Sequence, residues 1–525
     1  MSRVFHNVKV GLDDDLQEQL QWLAPNYSSY RVVRQSVDAR QRHSPHFVYS
    51  VEVFDQGETP TRTAFKIEPS NYKGPTPLII GAGPAGLFAA LRLVERGIKC
   101  HLFERGGDAV DRIKGINKFW RYGVMDERNN VCYGEGGAGL YSDGKLITRI
   151  KSEHIPYVMN RLVQFGAPEE IEYVSNPHVG SDRIRRVIPK MREFLIKNGC
   201  TIHFNTKISE LIIGKNSGAA SDGSTAEPIG EIEGVVTEHG ERFMSNKVIL
   251  ATGHSAEDVF EMLERNNVYI EGKSFALGLR IEHPQEQINK IQYREHFAHP
   301  KLGAANYKLA HTDKDSNIGV YSFCMCPGGY VLSSGTEQNS VVCNGMSNYK
   351  RNSPFANAAI VVTVDHEKMF GDPVKNKWGG LEFRRKTEQD AFKMVQAAGG
   401  TKEIPAQRLV DFMKRKSGPA LASSSPSHVV ATPLHDLLPK DMGRSIVDAM
   451  EKFSNWMSGF VSDSAQLHGV ESRTSCPVRV TRDPVTLQSL SHKGLFPCGE
   501  GAGYAGGITS AACDGIKIAD LICES

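Results

Sequence analysis

The hydrophobic pattern of the chain changes period several times, and each change predicts an element. Val4 to Val10 reads as a strand. Asp13 to Trp22 opens on acidic residues and places Leu16, Leu20 and Leu23 on one side, which predicts a helix. Tyr30 to Val33 and Phe47 to Val53 read as strands, with the polar run from Asp38 to Ser44 connecting or extending them. Residues 1–74 thus read as a small α/β domain. Its arginines suit either an acidic partner or a solvated face. The run from Glu68 to Pro77, polar and interrupted by proline, reads as a stiff linker.

A second pattern starts with the continuous apolar run Leu78-Ile79-Ile80, a buried strand. A helix from Ala85 to Arg96 follows, Gly97 stops it, and Cys100 to Phe103 supplies another strand. Arg183 to Lys197 carries Ile184, Val187, Met191 and Leu195 at helical spacing, and Thr201 to Phe204 is again strand-like. Ile208 to Ile213 and Ile232 to Thr237 predict a meander around a solvated Gly/Ser/Ala-rich loop between Gly214 and Gly230. Val248 to Gly253 is one more apolar strand ending at glycine. From about Phe275 to Arg479, β-rich pieces alternate with loops and with helices such as Arg385 to Ala398. The expected organisation is 1–74, then 75–274 as the first part of a larger domain, 275–479 as an inserted substrate or cap domain, and 480–525 as the return to the larger domain.

Composition narrows the function. With 525 residues the chain is long enough for several cores. Its 62 basic and 60 acidic side chains nearly cancel, which argues against nucleic-acid binding driven by bulk charge. No run approaches a spanning helix, and Met1 to His6 lacks the apolar core of a signal peptide, so a cytoplasmic protein with no specific nucleic-acid or membrane partner is expected. Ten cysteines over this length do not make a disulfide scaffold, and the histidines His283, His296 and His299 do not make a metal constellation.

The chemistry lies in two glycine-rich segments. Gly81, Gly83 and Gly86 sit between a strand and a helix in the GxGxxG pattern. Gly81 permits the turn, Gly83 lets backbone approach a pyrophosphate, and Gly86 lets the helix pack closely. The amides at the helix start, beginning at Ala85, offer anion contacts. Glu104 ends the next strand, where a carboxylate accepts from ribose hydroxyls and disfavours a 2′-phosphate. Arg105 beside it suits either adenosine phosphates or the surface. Only one such fingerprint is visible. The second segment, Gly494 to Ile508, holds Gly499, Glu500, Gly506, Gly507 and Ile508. There glycine enters a helix able to aim amides at the pyrimidine edge of a flavin.

Together these residues resemble the FAD-binding half of two-dinucleotide-binding-domain flavoproteins. Thr252 and Gly253 match the later Ala-Thr-Gly turn of that family, and Glu500 stands where many relatives place aspartate. Three segments, Glu135 to Leu146, Phe323 to Gly329 and Pro497 to Gly507, are similar in this order to a family of bacterial FAD-dependent oxidoreductases known largely as uncharacterised proteins. The resemblance implies α/β architecture, with a Rossmann-like FAD-binding domain, a large α+β insertion and a small N-terminal α/β domain. It implies FAD as cofactor and bacterial origin, and leaves the reaction unnamed.

Within that frame Gly136 and Gly137 read as a loop over the cofactor. Asp143 and Lys145 orient sugar or flavin polar groups, or else cap the loop. Ile208 completes the cofactor-side candidates. The catalytic candidates are Cys324, Cys326 and His254. The cysteines form either a thiol redox pair or a shaped substrate wall. His254 is either a general base or a polar cap. Tyr504 stacks near the ring or packs a domain seam. An FAD-dependent oxidoreductase acting on an unidentified substrate is expected, with NADH, NADPH or a redox protein as electron donor. The alternatives are an FAD-dependent nucleic-acid or protein modification factor, and a flavin-containing binding or regulatory protein.

Overall fold

The structure is a computed structural model that describes residues 2–40, 44–58, 65, 67–215 and 230–525. The strands Leu78–Ile80, Cys100–Phe103, Cys200–His203, Val248–Leu250 and Leu495–Pro497 form a parallel five-stranded sheet. In space the order runs 495–497, 248–250, 78–80, 100–103, 200–203. Three of these strands are buried at every residue, as a parallel sheet covered on both faces requires.

Strand alternation decides what covers each face. Ile79, Leu102, Ile249 and Phe496 point into a core shared with the helices Pro84–Glu95, Ser181–Lys197 and Ile508–Glu524. Leu78, Ile80, Val248 and Leu250 point the other way, onto Ile208, Leu211, Ile232 and Val235 of an antiparallel layer. That layer contains Ile208–Lys215, Gly230–Thr237, Arg242–Met244 and His492–Lys493. Most of the glycine-rich stretch expected as a loop lies outside the described residues.

The seven strands Ala310–Thr312, Gly319–Cys326, Phe355–Val364, Phe275–Pro284, Gln466–Glu471, Ile404–Arg408 and Val429–Ala431 form a second sheet in that spatial order. Only its last pair is parallel. Helix Lys440–Trp456 covers it with Ile446, Met450 and Phe453. Helix Gly379–Ala397 begins six residues before the expected Arg385 and adds Ala391 and Val395 to the same core.

Near the N-terminus, Arg3–Gly11, His46–Phe54 and Ser29–Asp38 form an antiparallel sheet. Its helix, Leu16–Leu23, starts later than Asp13 because the Asp15 side chain accepts from the Gln17 amide and caps it. The strand expected to end at Val33 continues to Asp38, since pairing with His46–Phe54 satisfies backbone that the polar sequence alone would leave open. Val8, Val10 and Phe47 join the core of the seven-stranded sheet. The segment expected as a linker has no regular structure but is tied down. Ser70 N donates to Arg96 O at 2.8 Å, and Ser70 Oγ donates to Cys523 O at 2.6 Å.

Candidate functional site

Three glycine segments meet at the C-terminal edge of the parallel sheet. Helix Pro84–Glu95 starts after Gly83 with proline in its first turn and no side-chain cap. Helix Ile508–Glu524 starts after Gly507, also without a side-chain cap. The two pack closely, because Gly515 has no Cβ where one would strike the backbone of Ala85. Residues 136–139 lie between the two helix starts. Gly136 N donates to Ala82 O at 2.9 Å. A Cβ on Gly137 would stand 3.0 Å from Gly83 Cα, and one on Gly139 would stand 3.0 Å from Ile508 and 3.4 Å from Pro84. Buried Arg112 holds this loop by donating to the carbonyl oxygens of Asn130, Val131 and Glu135 at 2.7–2.9 Å.

The glycines differ in what surrounds them. A Cβ on Gly86 would collide with the Gly81 carbonyl oxygen, so Gly86 is a packing residue. A Cβ on Gly83 would meet only Gly137, at 3.9 Å, and at Gly253, Gly506 and Gly507 it would meet nothing within 4 Å. Open space beside two uncapped helix starts fits a bound diphosphate and ring system. The residues present therefore suit a dinucleotide cofactor.

The remaining expected cofactor residues take varied positions. Glu104 is buried and accepts amides of Ala82, Gly106 and Gly134, each at 3.0 Å, which ties the fingerprint turn to the loop before Gly136. A carboxylate offers about four acceptor sites, so one remains for a hydroxyl. Arg105 pairs with Asp258 at 3.0 Å and lies over the Tyr133 ring, so its charge is engaged within the protein. Ala85 packs under Gly499, and Ile208 lies in the core below the sheet. Thr252 and Gly253 follow Ala251, whose amide extends the ladder to Ile80 O at 2.8 Å.

The turn carrying Glu500 is fixed from behind. Asp514 accepts from Gly499 N at 2.7 Å and receives both terminal nitrogens of Arg482. Arg482 also donates to Pro497 O at 2.6 Å and stacks on Tyr504, whose hydroxyl accepts from Arg482 N. Tyr504 thus packs the seam. Burial raises the Glu500 carboxyl to about 7 against an attraction from Lys273. Lys273 donates to Gly503 O at 3.1 Å.

His254 Nδ1 lies 3.3 Å from Arg384 Nη1. Arginine only donates, so Nδ1 is the acceptor and the proton sits on Nε2. That proton faces Glu500 Oε1 at 3.5 Å. Burial, with Arg384 and Arg473 nearby, holds His254 well below its ordinary pKa. The neutral ring is a donor toward Glu500, and its basic nitrogen is covered. Arg384 also pairs with Glu257 at 2.8 Å, and Arg473 with Glu388 at 2.8 Å, so charged groups of the 379–473 region close one side of the site.

Asp143 is fully buried. It accepts from Arg351 at 2.8 Å and from Ser347, and Lys145 Nζ stands 3.8 Å away. It joins the glycine loop to the end of strand Cys343–Ser347, which pairs with Gly329–Ser333, and to the loop that follows it. Cys324 and Cys326 end strand Gly319–Cys326, whose pairing with Phe355–Val364 slips between Phe323 and Cys326. Cys326 Sγ lies 3.3 Å from Cys324 O, which also accepts from Arg280 Nη1 at 3.4 Å. Cys326 is fully buried and Cys324 is partly exposed; both are free thiols. Lys273, Arg384, Arg473 and Arg482 carried no local sequence signal, being single basic residues that only tertiary folding gathers. Among the described residues no group of His, Cys, Asp and Glu forms a metal site, and no helix is long and apolar enough to cross a membrane.

Comparison with known proteins supports FAD as the cofactor. Residues 76–117 match an FAD binding domain, residues 274–474 match the FAD-dependent protein C-terminal domain-like family, and residues 11–54 match a domain of unknown function. An uncharacterised protein of Clostridium beijerinckii is 38% identical, over 99% of this chain and 98% of its own length. Solved structures are more distant. CtdE in complex with FAD is 13% identical, with 85% of this chain and 84% of that one covered, at a TM-score of 0.30. The open conformation of a flavocytochrome c3 fumarate reductase is 10% identical, with 86% and 78% covered, at 0.33. Thermovibrio ammonificans THI4 is 16% identical, with 37% of this chain and 62% of that one covered, at 0.24.

Proposed function

The chain belongs to the family of FAD-dependent proteins, with FAD as its cofactor, and from that premise we propose that it is an oxidoreductase. Its substrate space is the seam between the glycine-lined cradle and the seven-stranded sheet. The observation that carries this reading is the convergence of reactive side chains from both sides on Glu500. Lys273 and Cys324 act on its carboxyl electrostatically, and His254 faces it. A protein that held FAD only as ballast has no need of a protonatable carboxyl and a partly exposed thiol at that place.

FAD supplies hydride or electron transfer. The chain's own residues divide the remaining work. Helix starts at Gly83 and Gly507 present amides to anionic and electron-rich groups. Glu500, raised to about 7, holds or releases a proton at neutral pH, and the Nε2 proton of His254 is directed at its Oε1 atom. Among the described residues the parallel sheet carries the one dinucleotide fingerprint, so NADH, NADPH or a redox protein would deliver electrons transiently.

The test is anaerobic mixing of the FAD-loaded protein with each donor class, followed by acceptors of broad chemistry while flavin absorbance is recorded. Reduction by one donor and acceptor-dependent reoxidation are expected. A flavin that no donor reduces would refute the reading.

A further inference from the structure

We propose that Cys324 and Cys326 form a redox-active dithiol that exchanges an electron pair with the bound FAD. The proposal deepens the oxidoreductase reading and rests on it. The electron count is closed within the holoprotein. The two S–H bonds break, an S–S bond forms between the sulfurs, and FAD takes up two electrons and two protons.

Four observations support this. Only one residue separates them, so their Cα atoms stand at most roughly 7 Å apart, about the upper end of the range a disulfide spans. The pair is placed at an irregularity of the strand, with Cys324 at φ 43°, so the sulfurs are not held in a regular ladder. Their burial is unequal. Partly exposed Cys324 can meet a reactant while buried Cys326 stands behind it to close the disulfide. Their charges are unequal too. Interaction with the Cys326 thiol, with Lys145 and Arg280 nearby, lowers Cys324 below the ordinary thiol range, and the same interaction, with burial, pushes Cys326 well above it. An attacking thiolate beside a protonated partner is the arrangement thiol–disulfide chemistry uses.

The surroundings link the pair to the glycine loop: Arg280, bonded to Cys324 O, also donates to Asn344 Oδ1 at 3.3 Å, on the strand whose Ser347 donates to Asp143. Cys324 acts electrostatically on Glu500 of the C-terminal glycine turn, and Lys145 and Asp143 of the glycine loop act on Cys324. Buried Arg280 is itself fixed by Glu471 at 2.8 Å and by Asn357 at 2.8 Å.

The full-length FAD-loaded protein should be equilibrated without oxygen against dithiothreitol buffers of graded potential, then trapped with N-ethylmaleimide and digested. Peptide mass spectrometry reads the state of residues 324 and 326, and absorbance reads the flavin. The expected result is a pair that gains and loses two hydrogens as one unit, in step with flavin bleaching. In C324S and C326S that coupling is lost while FAD stays bound. The alkylation rate of Cys324 should be half-maximal below the pH of an ordinary thiol and move upward in Cys326→Ala, which a packing role would not produce. Two free thiols at every potential overturn the proposal, and this measurement on the unaltered protein does not depend on a variant folding. Donor-driven flavin reduction separates the two ideas. If it persists while the thiols stay reduced, the dithiol alone fails; if it too is absent, both fail.

Discussion

The same substitution at two glycines three residues apart should have opposite consequences. Gly86→Ala places a methyl group 3.1 Å from the Gly81 carbonyl carbon and 3.2 Å from Ile79, and still closer to the carbonyl oxygen. Backbone must move, and overpacking of this kind costs about 1–3 kcal/mol. At about 1 °C per kcal/mol for a chain of 525 residues, the apoprotein should melt roughly 1–3 °C lower. Gly83→Ala meets only Gly137 at 3.9 Å, and its φ of −76° and ψ of −177° suit any residue. The apoprotein should keep its Tm or gain slightly, since the unfolded chain loses about 0.4–1 kcal/mol of conformational freedom. The methyl group does, however, enter the space assigned to the diphosphate. At FAD near 100 Kd, ligand binding stabilises the unaltered protein by about 2.7 kcal/mol. Gly83→Ala should abolish most of that increment. The assay is thermal unfolding of both variants with and without FAD, supported by equilibrium titration. Full FAD-induced stabilisation in Gly83→Ala would refute the placement of the cofactor beside Gly83. An apo Tm equal to wild type in Gly86→Ala would refute the packing role of Gly86.

Two further outcomes follow from buried charge. Arg280→Met leaves Glu471 buried without its cation and should destabilise the fold by about 3–5 kcal/mol in denaturant unfolding, with Glu471→Leu restoring much of the loss. Because the Glu500 carboxyl is raised from 4.5 to about 7 in the folded chain, the apoprotein favours its protonated form. That stability is present below pH 4.5 and is lost as pH rises to about 7. Glu500→Gln should flatten the pH dependence of apo stability across that window, and an unchanged slope would count against the raised value.

The βαβ start was legible because its signals are local. A three-residue apolar run, glycines at fixed offsets and a helix-stopping Gly97 all lie within 26 residues, from Leu78 to Phe103. The meeting of the glycine loop with both helix starts was legible only as a shared motif order. Its cause, the contacts of Gly137 with Gly83 and of Gly139 with Ile508, is tertiary. Asp143 and Lys145 read from the sequence either as sugar or flavin contacts or as caps of the loop. The bonds of Asp143 to Ser347 and Arg351 were not legible, because no spacing rule connects those residues to it. His254 reads from the sequence either as a general base or as a polar cap, and its tautomer depends on Arg384, which lies 130 residues away. Helix Lys440–Trp456 did carry a usable signal, with Met442, Ile446, Ala449, Met450 and Phe453 recurring every three or four residues. The attachment of Val8, Val10 and Phe47 to the distant core carried none, because an apolar strand face does not announce its partner.

The strand order of the parallel sheet has a consequence in time. Val248–Leu250 keeps an open edge until Leu495–Pro497 arrives beside it. Some 245 residues separate Leu250 from Leu495, so at about 5–20 residues per second the ribosome leaves that edge bare for roughly 10–50 s. Over the same interval the fingerprint helix lacks the partner helix Ile508–Glu524, and the cradle has only one of its two helix starts. The complete cradle, with both helix starts, therefore exists only once residues 495–524 have been made, and until then the intervening seven-stranded sheet is the structure already in place beside an apolar parallel edge.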